Sequence, residues 1–88
     1  MVVHLVTPNV DKATSRPPRV GFVVAKSVGP AVTRNRVRRR LRHLMRERIV
    51  GLAPDSLVVV RAQPAAAQAS FGQLAAELDR CLGRVVAP

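Results

Sequence analysis

Between Arg34 and Arg48 the chain places eight arginines and one acid in fifteen residues. A guanidinium is a planar fork that grips phosphate through two parallel N–H bonds, so such a cluster is chemistry for holding a polyanion. Val37, Leu41, Leu44 and Met45 recur within it at steps of four, three and one, the spacing of one helix face. At about 100° per residue, Asn35, Arg39, Arg42 and Arg46 fall on the opposite side within roughly 60° of arc. The segment therefore reads as a helix with its apolar stripe in a core and its arginines turned outward. A merely solvated charged face is the plainer reading, but such faces normally mix signs and this one hardly does. Arginines also crowd the first turn, against the helix macrodipole, at a cost of a few tenths of a kcal/mol each. A helix N-terminus and a cationic cluster together attract an anion.

Other chemistry is sparse. The acids Asp11, Glu47, Asp55, Glu77 and Asp79 are scattered, and Glu77 and Asp79 point to different sides of their helix. His4, His43 and Cys81 do not form a metal set by spacing, and no P-loop or dinucleotide fingerprint occurs. No catalytic residue and no metal ligand is expected. A single cysteine allows no intramolecular disulfide, and Cys81 lies in the apolar register of a helix, as a buried structural thiol would. The two aromatics, Phe22 and Phe71, leave little for base stacking. Phe71 is expected in the core by register, Phe22 on either side of a strand, and His43 beside the arginine face. Contact with the nucleic-acid backbone should then dominate over base readout.

A net charge of +10 on 88 residues, with 48% hydrophobic content, describes one folded domain with a polyanion partner. Nucleic acid leads and an anionic membrane surface follows. Two lysines against thirteen arginines, in a chain rich in Ala and Val, also suits a coding bias. The weight therefore rests on where the arginines stand. No run reaches the length of a membrane-spanning helix and no signal-peptide order opens the chain, so the cytoplasm is expected.

The elements that must position this helix follow from pattern. Met1–Thr7 reads as a strand holding His4, and Pro8–Pro18 as a loop. Arg19–Lys26 is a second strand, with Gly21 a bulge or close-approach site. Gly29 and Pro30 make a tight turn before the helix, with Thr33 or Asn35 as N-cap and Gly51 as the residue ending it. After a Pro54-Asp55 turn, Leu57–Arg61 is a central strand, and Gln63–Ala69 an Ala-rich connector. Ser70 with Gln73 forms a capping box for a last helix whose core face is Phe71, Leu74, Leu78, Cys81, Leu82 and Val85. Val86–Pro88 is a frayed end. Strand, strand, helix, strand, helix gives an α+β fold, a small two-layer sandwich with helices on one face of a sheet.

The run Lys26-Ser27-Val28-Gly29-Pro30-Ala31-Val32-Thr33-Arg34-Asn35-Arg36-Val37, continuing to Arg42, resembles the signature of the bacterial ribonuclease P protein subunit. That signature is a lysine-bearing strand end, a glycine turn, Ala-Val, one residue, then Arg-Asn-Arg and further basic positions on a helix. The strand Leu57–Arg61 with Ala62 and Pro64, and the last helix with Phe71, also fall where the family has them. The resemblance implies a fold like the second domain of ribosomal protein S5, with a left-handed β-α-β crossover around the arginine helix. It implies a ribonucleoprotein endonuclease that removes the 5′ leader from precursor tRNA. Its catalytic component is RNA, and divalent metal, usually Mg²⁺, is held mainly by that RNA. The protein would bind the RNA through Arg34, Asn35, Arg36, Arg39 and Arg42, with Lys26, Arg38 and Arg46 joining them. His4, at a strand position often aromatic in the family, and Phe22 would contact the leader. Family members carry a helix ahead of the first strand, so residues 1–88 are expected as one RNA-binding domain, N-terminally truncated relative to the family. Part of the sheet and one wall of the leader cleft would then be uncovered. The rival readings are a ribosomal or general RNA-binding protein without an enzyme, and a membrane-surface helix, which would not need its flanking strands.

Overall fold

The computed structural model describes residues 1–6 and 16–86. The loop expected over Pro8–Pro18 lies mostly outside them, as do Thr7 and the last two residues. In order come β1 (Val2–Val6), β2 (Arg19–Val24), a 3-10 turn (Lys26–Val28), α1 (Ala31–Arg48), β3 (Leu57–Ala62) and α2 (Phe71–Val86). Further 3-10 turns, Ile49–Gly51 and Pro64–Ala67, precede and follow β3.

The sheet order is β1-β3-β2, with β3 antiparallel to β1 and parallel to β2. β2, α1 and β3 thus form a crossover unit, because neighbouring parallel strands cannot be joined by a hairpin. β3 is the central strand, as its apolar run implied. Its sides alternate in burial: Val58, Val60 and Ala62 are buried, while Leu57, Val59 and Arg61 face the other way.

Both helices cover the Val58–Val60 side. α2 lies over β1 and α1 over β2, and Val37, Leu41, Met45, Leu74 and Leu78 are at most 1% exposed between them and the sheet. Burial of each such side chain contributes about 1.5–3 kcal/mol against leaving it in water, so these five residues set the rotation of both helices. Among the described residues, no helix covers the opposite side of the sheet, where His4, Val59 and Gly21 pair across in one row.

Local chemistry departs from expectation at three points. α1 begins two residues before Thr33: Pro30, with φ −61° and ψ 166°, stands as N-cap without a side-chain hydrogen bond. Proline's fixed φ suits a helix entry, and its missing N–H is not needed there. At the other end α1 tightens into the 3-10 turn Ile49–Gly51, with the Leu52 N–H bonded to the Ile49 carbonyl at 3.1 Å. Gly51 therefore does not take the left-handed conformation expected of it. Gly21 pairs in unbroken register with Val59, so it makes no bulge, and a Cβ there would meet nothing within 4 Å. Gly29 does take positive φ, at 150°, and a Cβ on it would lie 3.2 Å from the Thr33 side chain. The capping box forms as read: the Gln73 N–H donates to Ser70 Oγ at 3.1 Å, and the Ser70 N–H to Gln73 Oε1 at 2.8 Å.

Candidate nucleic-acid interface

Burying Val37, Leu41, Leu44 and Met45 leaves the opposite face of α1 to solvent. Asn35, Arg36, Arg39, Arg42 and Arg46 are exposed, and Arg34, Arg38, Arg40 and Arg48 are half-buried. The helix has no acid in its first turn and no capping side chain. Its N-terminal partial charge therefore adds to the cationic field instead of being offset.

These arginines divide by what they touch. Arg34 Nε donates to the Gly29 carbonyl at 3.1 Å, tying the helix to the turn that precedes it. Arg36 Nη2 and Arg40 Nη1 donate to the carbonyls of Ala67 and Ala69, at 3.0 and 3.2 Å. Those two bonds hold the connector ahead of α2 against α1. Arg38 Nη1 bonds Asn35 Oδ1 at 3.2 Å. Arg48 makes a two-pronged pair with Asp79, at 2.5 and 3.1 Å, locking α1 to α2. This hydrogen bond holds the Asp79 carboxyl below its ordinary pKa and raises that of Arg48. By contrast, Arg39, Arg42 and Arg46 have no hydrogen bond or ion pair to the described residues. They line one face over eight residues, about 10 Å of helix. A bonded guanidinium still has donors left from its five, so anchoring Arg34 or Arg36 orients the fork without consuming it.

Of the residues singled out from sequence, Asn35, Arg36, Arg39, Arg42 and Arg46 are thus on the solvent side of α1, while Arg34 and Arg38 stand half-buried nearer the apolar stripe. Lys26 is exposed where the 3-10 turn leads into α1. His4 and Phe22 are not brought together. His4 is exposed on the uncovered side of the sheet, whereas Phe22 shares the side of Val20 and Val24 and packs against the core. Alternation along β2 decides this: of the two sides left open for Phe22, it takes the one that faces the helices. His4 pairs across with Val59, and the exposed Arg61 and Arg19, on β3 and β2, lie on the same side of the sheet. Sequence alone did not select them, because it is the register that puts them on the side of His4. Cys81 is half-buried, its thiol 3.6 Å from the Met1 carbonyl, rather than deep in the core. Phe71, expected inside, is 41% exposed and meets His43, with ring centroids 5.7 Å apart.

Among the described residues no group of three or more His, Cys, Asp or Glu side chains could hold a metal ion. No described helix is long and apolar enough to cross a membrane.

An α+β layer that presents one arginine-rich helix face suits the binding of a polyanionic backbone. The family model for ribonuclease P matches residues 1–86, and the chain belongs to that family. The ribonuclease P protein component of Streptomyces griseus is 53% identical over 98% of this chain and 73% of its own length. That of Nocardioides is 53% identical over 97% and 71%. The solved ribonuclease P protein of Staphylococcus aureus superposes with a TM-score of 0.71 at 26% identity, covering 93% of this chain and 71% of that one. The chain is therefore a protein subunit of the ribonucleoprotein that removes the 5′ leader from precursor tRNA, and its partner is the ribonuclease P RNA.

Proposed function

We infer that this subunit acts by gripping the backbone of the ribonuclease P RNA with the exposed face of α1, and that the RNA carries out the cleavage. The observation that carries this reading is the uncommitted triplet Arg39, Arg42 and Arg46 on a helix whose rotation is fixed by four buried apolar residues. Because the helix backbone is already held rigid, only the arginine side chains have to be immobilised when this face meets phosphates. Asn35, Arg34, Arg36 and Arg38, already oriented by their intramolecular bonds, extend the grip toward the helix start, and Lys26 continues it onto the turn. The leader of precursor tRNA would run across the uncovered side of the sheet, where His4 can stack and Arg19 and Arg61 can meet its phosphates. Divalent metal, with Mg²⁺ the natural ion, belongs in this reading to the RNA, and the cytoplasm to the complex.

The test is cleavage of precursor tRNA by a bacterial ribonuclease P RNA at low Mg²⁺, with and without the protein. Stimulation by the protein, with none of its own activity, supports the reading. Tight binding to the RNA without any stimulation would favour a general RNA-binding role instead.

A further inference from the structure

Phe71 occupies the same register on α2 as Leu74, Leu78 and Leu82, which are at most 7% exposed, yet it is itself 41% exposed. It lies at the first turn of α2, where the stripe runs past the edge of the core. What it meets there is His43 of α1, with ring planes inclined at 60°. His43 is also exposed. At about 100° per residue it lies roughly 40° around the helix from Arg39, on the border of the uncommitted arginine face.

This corner is held in place by the fold. Arg36 and Arg40, which lie within about 60° of His43 around the helix, bond the carbonyls of Ala67 and Ala69 just ahead of Phe71. The Ser70–Gln73 capping box then fixes the first turn of α2. The result is a preset aromatic corner beside free cations. A ligand that complements both parts has a flat apolar face and an adjoining anion, which is a nucleobase on its phosphate backbone. A base inside a paired helix does not offer its face, so the ligand must be an unpaired one.

Resting on the reading above, we propose that Phe71 and His43 form a stacking site for one unpaired nucleobase of the bound RNA, whose neighbouring phosphate is held by Arg39. This adds one base-directed contact to an interface otherwise made with the backbone. Stacking and phosphate contacts respond differently to salt, since only the latter release counterions.

The experiment measures the affinity of the full chain for a bacterial ribonuclease P RNA over a range of KCl, for wild type, F71L, F71W and R39A. Leucine keeps the helix contact and removes the stacking face; tryptophan keeps both. The expected result is about tenfold weaker binding for F71L with an unchanged salt slope, and near wild-type binding for F71W. R39A should flatten the slope by about one unit. The proposal is overturned if F71L binds like wild type, or if F71L and F71W weaken equally, which marks a packing role only. In either case steep salt dependence in wild type leaves the functional reading standing. Absence of wild-type binding would overturn both.

Discussion

Arg36 and Arg39 are three residues apart on one helix, yet they are committed differently. Arg36, with Arg40, directs N–H donors to the carbonyls of Ala67 and Ala69 and so joins α1 to the chain ahead of α2. Arg39, with Arg42 and Arg46, faces solvent and holds nothing in the described structure. A single basic run thus contains a set that builds the surface and a set that the surface displays. Charge is the same in both. What separates them is position around the helix, because Arg36 and Arg40 lie on the flank from which the connector can be reached.

The comparison can be broken most severely from below. Leu41 is fully buried on the stripe that orients both sets. Leu41→Ala should cost about 2–5 kcal/mol, a large share of the stability of so small a domain, and urea unfolding would read it directly. Both sets should lose their geometry together.

The next largest effect separates the sets. Replacing Arg36 and Arg40 together by alanine should lower stability by about 1–2 kcal/mol, through removal of two charge-assisted bonds. Replacing Arg39 and Arg42 should leave stability within about 0.5 kcal/mol of wild type, as for other exposed positions. Equal losses in denaturant melts would erase the distinction.

A smaller change tests the partner side of the connector. Ser70→Ala removes the side-chain oxygen that accepts the Gln73 N–H, and should cost about 1 kcal/mol in thermal or urea unfolding.

The smallest concerns Arg48, the arginine that closes α1 onto α2. Its hydrogen bond keeps the Asp79 carboxyl below the ordinary carboxylate range, so the folded state binds that proton less readily than the unfolded one. The contribution is present above the unfolded Asp value, near 3.9, and is lost as pH falls through the lower folded value. Asp79 is 56% exposed, so solvent screens the pair to a few tenths of a kcal/mol. Asp79→Asn should remove that acid-side slope from a pH series of melts and change little at higher salt.

The order of elements, the central strand, the buried stripe of α1 and the capping box were legible in the sequence, because each rests on local periodicity or a fixed spacing. Helix ends were less so. Thr33 carries the usual N-cap side chain, but Pro30 ends the extended backbone first, and a 3-10 turn absorbs the end expected at Gly51. Phe71 was misplaced for a different reason. Register tells which side of α2 it occupies, but not that the core stops short of it. The division among the arginines was wholly hidden, since the carbonyls that bind Arg36 and Arg40 lie 31 and 29 positions away. Arg61 and Arg19 join His4 only through the pairing of three strands.

The salt dependence of binding to ribonuclease P RNA tests the central claim most directly. The observable is the slope of log K against log [KCl] for wild type, for Arg39, Arg42 and Arg46 changed together to alanine, and for Arg36 and Arg40 changed together. The displayed triplet should flatten the slope by about two to three units, roughly one for each phosphate no longer neutralised. The anchoring pair should flatten it less, at a greater cost in stability. A triplet variant whose slope matches wild type would contradict the assignment of this face to the RNA backbone.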